Sequence, residues 1–460
     1  MGRIEERCCM KEKLHLRQNL LVGSLLFGLF FGAGNLIFPV QMGQAAGNHT
    51  LPAMIGFLIT GVGLPVLGVV ASALSGSESL FDMAKPVSSG YAVLFTCALY
   101  LTIGPLFAIP RTATVAFEVG LHPFVSGEQI KPGLFLFSLA FFSLTVFFTL
   151  RPSRIMDWIG KYLTPAFLIL LSVLLITVFA KPMGDASIFP PQGNYRAKSF
   201  FTGLLDGYNT MDALASLAFA IIIISGIQNL GVRKPHSIAV ETCKSGLVSV
   251  FLMGIIYAAL AYMGAASPGS ISRADNGGLI LSMVSRHYFG IPGQVLLAAI
   301  VAVACLKTAI GLITACSEMF CKLFPKSVSY RGYVTLFTLL SFFIANFGLN
   351  NIIQWSVPIL MFLYPLAITL ILLSLLAPWI HRQRDIYRWT TGFAGIAAFF
   401  DFCKAFPKPF QELPAVKHLV QFAERILPGF GLGFGWIVPA FCGFFIGWIL
   451  RRICKRESPV

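Results

Sequence analysis

The chain has 460 residues, 56% of them hydrophobic and only 12% charged, against roughly 25% charged in an ordinary soluble domain. Twelve helices of about 20 residues would use about 240 positions, close to this apolar supply, which excludes a soluble enzyme and a disordered chain. The net charge of +15 comes from 34 Lys and Arg against 19 Asp and Glu; the basic residues cluster briefly between apolar runs, as in loops against an anionic leaflet and not as in a nucleic-acid-binding face.

Hydropathy and helix breakers predict spans at 19–39, 51–74, 91–110, 133–150, 162–180, 211–230, 246–266, 293–316, 332–348, 351–377, 389–403 and 429–450. The eleventh holds only about 15 residues, short of the roughly 17 to 25 a spanning helix needs, so it is tilted, extended or partly interfacial, and dropping it would move the C-terminus across the membrane. With both termini inside, 22 Lys and Arg are cytoplasmic, 11 lie outside and Lys307 falls within a span. That bias matches the positive-inside rule and favours twelve spans with both ends cytoplasmic. The N-tail is polar for 18 residues and span one lacks a small-residue cleavage site, so span one is expected to be retained. The ten Cys form no CxxC pair and read as reduced and structural.

Span one contains Gly32-Ala33-Gly34-Asn35 and then Pro39, which fit poorly in a continuous helix. Small residues four apart can mark a close helix crossing; the alternative is a break near mid-membrane that leaves the N–H groups of Ala33 and Gly34 to hold an anion. Five spans later, Ser216 among small residues in Asp212–Ala220 marks a possible second break, or a Ser bonded to its own helix. Two interrupted helices at matching positions point to an all-α polytopic membrane protein, a single transporter domain over 1–460 with a 5+5 inverted repeat. The halves are 19–180 and 211–377, with two additional helices at 389–450.

In span eight, Lys307 lies about 13 Å from the cytoplasmic end, too far to snorkel. It faces either a polar cavity with a function or a wet inner vestibule. Arg111, at the outer end of span three, and Asp212, at the outer start of span six, are a candidate outer gate or simple interfacial charges, and Glu318 is read as a solvated loop residue. No His begins an HExxH helix, and the His residues avoid the spans, so an intramembrane enzyme is not expected. A sensor would need a soluble output domain that these short tails do not supply. No cofactor motif and no obligate protein partner are evident.

The stretches FGLFFGAGNLIFPVQMGQAAG, LYLTIGPLFAIPRTATVAFE, GYNTMDALASLAFAIII, ACLKTAIGLITACSEMF and SVPILMFLYPLAI closely resemble the bacterial branched-chain amino acid carriers of the BrnQ type, and the likeness covers nearly the whole chain. The resemblance implies a sodium-coupled symporter for leucine, isoleucine and valine with a LeuT-like fold, broken at helices one and six. It further implies that Gly32, Ala33, Gly34 and Asn35 form the unwound part of helix one, with the Ala33 and Gly34 N–H groups on the substrate carboxylate. Ser216 and the carbonyls around Leu214 would take the ammonium, Phe219 would cover the side chain, and Tyr100 is a further candidate for the carboxylate. By the same resemblance, a sodium ion would be held by Gly28, Phe31 and Thr308. Family members usually carry a neutral residue where this chain has Lys307, so the alternative is a sodium-independent carrier, proton-coupled or exchanging, in which Lys307 stands in for the ion. A second sodium site at Asn35 is expected to be missing, because 246–266 lacks a helix-seven amide. An apolar pocket of this kind would accept Met as well as Leu.

Overall fold

The computed structural model describes residues 13–77, 79–150 and 164–456. Arg3, Arg7, Lys11, Cys8, Cys9, Arg151, Arg154 and Lys161, used above for topology and redox state, lie outside them. The described residues form helices and turns only.

The first apolar segment is two helices, α1 (Leu16–Phe30) and α2 (Ala33–Ala46), separated at Phe31-Gly32. After a tight turn the chain continues through α3 (Thr50–Leu58), a wide helical turn over Ile59–Gly63, and α4 (Leu64–Ser75). Next come α5 (Ser89–Leu101) and α6 (Ala108–Gly120), divided where Gly104 leaves helical geometry ahead of Pro105. Proline cannot donate the ladder hydrogen bond, which accounts for that kink. Then follow α7 (Ile130–Thr149), α8 (Thr164–Ala180), α9 (Tyr195–Tyr208), α10 (Asp212–Asn229) and α11 (Pro235–Ala266). A 47-residue helix, α12 (Gly277–Leu323), bends at Gly290, whose φ of 63° only glycine adopts readily. It continues 16 residues past Lys307, about 24 Å, further than the sequence suggested. The remaining long elements are α13 (Tyr330–Ala345), α14 (Leu349–Leu375), α15 (Arg384–Lys404), α16 (Pro414–Ile426) and α17 (Ile437–Arg456).

Among the described residues, seven segments are long and apolar enough to cross a membrane, and Leu16–Phe30, Leu171–Ala180 and Tyr330–Ala345 are shorter apolar helices. The expected eleventh span falls within the 21-residue α15, longer than hydropathy indicated because its polar first turns are also helical, and α15 is not among those seven. Apolar side chains such as Leu94, Leu136, Ile176, Leu247, Phe251 and Phe343 face outward, the reverse of a soluble protein and the expectation for a lipid-facing surface. In α16, Leu419, Phe422 and Ile426 form an exposed apolar stripe beside charged positions, the pattern of a helix lying along a membrane surface.

Small residues set a close crossing between α2 and α11. A Cβ on Gly43 of α2 would strike the Ala261 carbonyl of α11, and one on Gly264 of α11 would strike the Val40 carbonyl of α2. The two backbones are therefore in mutual contact, the arrangement that lets helices associate where burial from water supplies no drive. Polar bonds fasten the starts of α1 and α11: Asn19 donates to Glu241 at 3.0 Å, and Ser245 donates to Asn19 at 2.8 Å.

Candidate functional site between two helix breaks

Two interrupted helices meet inside the bundle. The first break is where the sequence placed it. Gly32 is the extended N-cap of α2, and its N–H donates to the Asn35 Oδ1 at 3.0 Å. This bond fixes the orientation of the Asn35 amide, so its Nδ2 points across the gap to Asp212 Oδ2 at 2.6 Å and also donates to the Tyr257 hydroxyl. Tyr257 in turn donates to Asp212 Oδ2 at 3.1 Å. Asn35, Asp212 and Tyr257 are all almost fully buried.

The second break differs from the expectation. Ser216 lies inside a continuous helix, and its hydroxyl donates to the Ala213 carbonyl three residues back at 2.7 Å. The interruption is instead at Asn209-Thr210-Met211, between α9 and α10, with Met211 in the left-handed region at φ 62°. The small residues around Ser216 serve packing: a Cβ on Gly68 of α4 would run into the Ser216 hydroxyl.

Arg111 and Asp212 are also placed differently. They are only 2% and 3% exposed, so neither is an interfacial charge, and no ion pair joins them among the described residues. Arg111 donates from Nη1 to the Asn209 carbonyl at 2.6 Å and from Nη2 to Ser356 at 3.2 Å, with its guanidinium 5.0 Å from the Phe38 ring centroid. It thus ties α6 to the second break and to α14. Beside it, the rings of Tyr208 and Tyr364 stack with centroids 3.9 Å apart, and both hydroxyls are buried without a hydrogen-bond partner.

Four helix termini converge here, and their polarity determines what the site can hold. A helix N-terminus carries about half a positive charge and a C-terminus about half a negative one. The α10 N-terminus already has an acidic side chain, Asp212, in its first turn. At the C-terminal end of α9, the Asn209 carbonyl is taken by Arg111. Along α1, a Cβ on Gly28 would lie 3.4 Å from the Lys307 Nζ, so an ammonium group stands near that helix's negative end. The remaining terminus is that of α2, where the Gly32 N–H is taken by Asn35 but the N–H groups of Ala33 and Gly34 have no intrahelical acceptors, and it is the one suited to an added anion.

Of the residues expected to hold an ion, Gly28 and Lys307 are adjacent, and Thr308 borders the break, with its Oγ1 3.2 Å from where a Gly32 Cβ would stand. Phe31 is the residue that ends α1. Leu214 and Phe219 are buried in α10. Tyr100 points at α10, its hydroxyl 3.5 Å from the Ala218 carbonyl, and not at the α2 terminus. Sequence reasoning missed Asn209, Thr210, Tyr257, Ser356 and Tyr364. The run Gly207-Tyr-Asn-Thr-Met-Asp212 carried a signal, since polar residues before an apolar helix are a capping pattern; Tyr257 had none beyond being a polar residue in an apolar helix.

The solved structure of Mhp1, a nucleobase-cation-symport-1 family transporter in a closed conformation with bromovinylhydantoin bound, shares this fold. It matches with a TM-score of 0.60 over 96% of this chain and 93% of its own, at 13% identity. The chain is 48% identical over 450 residues to the branched-chain amino acid permease BrnQ of Lactobacillus delbrueckii subsp. lactis, covering 98% of this chain and all of that one. It is 42% identical to the permease BraB of Bacillus subtilis, over 96% of this chain and 97% of the relative. It is also 44% identical to the branched-chain amino acid transport system 2 carrier protein of Pseudomonas aeruginosa, over 77% and 80% of the two chains. These relatives are permeases and carriers, not enzymes. The family model described as branched-chain amino acid transport protein matches residues 15–454, and the chain belongs to that family.

Proposed function

We propose that this chain is a secondary active transporter that imports leucine, isoleucine and valine, and methionine as a close match in volume, by alternating access around the two breaks. The observation that carries the reading is the meeting of the broken helices at Asn35, Tyr257 and Asp212, next to an α2 N-terminus suited to a carboxylate. In this reading α1 with α2 is helix one and α9 with α10 is helix six of a 5+5 inverted repeat. Twelve spans in a bacterial inner membrane then leave both termini cytoplasmic, with α15 and α17 as the added pair.

The substrate carboxylate lies on the N–H groups of Ala33 and Gly34. Its ammonium is drawn toward the Thr210 carbonyl and the Asp212 side chain, a shift from the Leu214–Ser216 position that the family resemblance implied. Leu214 and Phe219 wall the aliphatic side chain. Arg111, bonded to the carbonyl of the second break, acts as a clamp on helix six when the outer path closes.

Coupling to a cation is the primary reading. A sodium ion would meet oxygens of Gly28, Phe31 and Thr308, the hard ligands it prefers. The position of Lys307 beside Gly28 favours a second reading, in which the ammonium takes the ion's place and transport is sodium-independent. Uptake of labelled leucine into proteoliposomes, under an inward sodium gradient and with choline in its place, separates the two for wild type and Lys307→Thr. Sodium-driven uptake by wild type supports symport. Sodium-independent uptake that becomes sodium-dependent in the variant supports the lysine stand-in. Absence of saturable uptake by folded protein under every gradient overturns the transport reading.

A further inference from the structure

A second polar pocket lies away from the central breaks, where α9, α14, α15 and the loop after α16 meet. It has a volume of about 220 Å³ and is lined in part by Lys198, Phe201, Leu205, Met361, Asp401 and Lys404. Asp401 is 3% exposed, and both of its carboxylate oxygens are buried without a hydrogen-bond partner. Lys404 is three residues further along the same helix, yet its ammonium donates to the Phe430 carbonyl at 2.9 Å and sits 4.6 Å from the Phe430 ring centroid. Lys198 donates to the neighbouring Gly431 carbonyl at 3.3 Å. A buried carboxylate with no donor is strongly unfavourable unless something fills its lone pairs. Each lysine has three donors and uses one on the loop.

The donor set is therefore that of a zwitterion site: a buried acid for an ammonium group and two ammonium groups for a carboxylate. Phe201, Leu205 and Met361 supply an apolar wall between them. The volume is equivalent to about seven waters at roughly 30 Å³ each, enough for a small molecule and more than a single ion requires. We propose that this pocket is a second binding site for an aliphatic α-amino acid, with its ammonium on Asp401 and its carboxylate between Lys198 and Lys404. The inference rests on the amino-acid transport reading for the identity of the ligand. Lys198, Phe201 and Leu205 continue along α9 to Tyr208, three residues beyond Leu205, whose ring stacks on Tyr364 at the second break. Occupancy of the pocket thus braces the outer half of the broken helix against α15.

Equilibrium dialysis of labelled leucine against the purified full chain in nanodiscs tests the inference. The expected result is two leucines per chain at saturation for wild type, and one for Asp401→Asn. Met361→Trp, which fills the cavity and leaves the acid in place, is also expected to bind one, so the test survives if Asp401→Asn fails to fold. One leucine per wild-type chain means that water alone fills the pocket and overturns the inference, as does retention of two by folded Asp401→Asn or Met361→Trp. Wild type that is folded and binds no leucine overturns the transport reading itself, a different outcome from losing one site of two.

Discussion

Asn35 holds the two breaks together, and its contribution can be worked out from its bonds. It accepts from the Gly32 N–H and donates to the Asp212 carboxylate and the Tyr257 oxygen. Interhelical hydrogen bonds measured in membrane proteins average about 0.6 kcal/mol and reach about 1.7. The 2.6 Å bond to the buried Asp212 side chain belongs at the upper end for its shortness, so the Asn35–Asp212 coupling should be about 1.5 kcal/mol. Asn35→Ala alone should cost more than that, about 2 to 4 kcal/mol, because the buried Gly32 N–H also loses its acceptor. The assay is a double-mutant cycle of Asn35→Ala and Asp212→Ala, each of which removes one partner of the bond, read as unfolding free energy in mixed micelles. Additivity of the two single effects within about 0.5 kcal/mol would refute the claim that this bond joins the broken helices.

Three further outcomes follow from the packing and the charges. Gly264→Ala should destabilise by at least the 1 to 3 kcal/mol usual for overpacking, because the added carbon meets the Val40 backbone carbonyl and no side chain can swing away; an unchanged thermal midpoint would contradict it. Gly68→Ala should lower the midpoint as well, and Ser216→Ala should restore part of the loss by removing the hydroxyl that the new methyl strikes; no recovery in the double variant would count against a packing role for Ser216. Arg111→Lys keeps the charge but loses the fork that reaches Asn209 and Ser356 together. At about 1.5 to 3 kcal/mol for such bonds, leucine uptake should fall by roughly 10- to 100-fold, and uptake within about twofold of wild type would show that the clamp is dispensable.

The first break was legible because Gly32-Ala33-Gly34-Asn35 offers both the flexibility and the polar group that an interrupted helix needs. The second was displaced because the same cue, small residues around a Ser, also serves close packing, and at Ser216 that is its use. The actual break turns on Met211 adopting positive φ, a conformation that local sequence does not favour in a non-glycine residue. Arg111 and Asp212 were read as a candidate outer gate or as interfacial charges, because charges usually flank spans. Their burial depends on partners distant in sequence, Asn209 and Ser356 for one, Asn35 and Tyr257 for the other. The positions of the apolar helices were readable from composition, while their lengths were not: α12 and α15 extend through polar turns that tertiary contacts keep helical.

The central claim is that substrate is held at the N-terminus of α2 between the two breaks. Counterflow tests it without reference to the coupling ion: proteoliposomes loaded with unlabelled leucine are diluted into trace labelled leucine, for wild type and Gly34→Leu. A Cβ on Gly34 would stand 3.4 Å from Phe38 and 3.6 Å from the Thr210 Cα, so a leucine side chain there has to project into the gap between the breaks. The account predicts transient accumulation of label by wild type and none by the folded variant. Full counterflow by Gly34→Leu, or none by folded wild type, would contradict it.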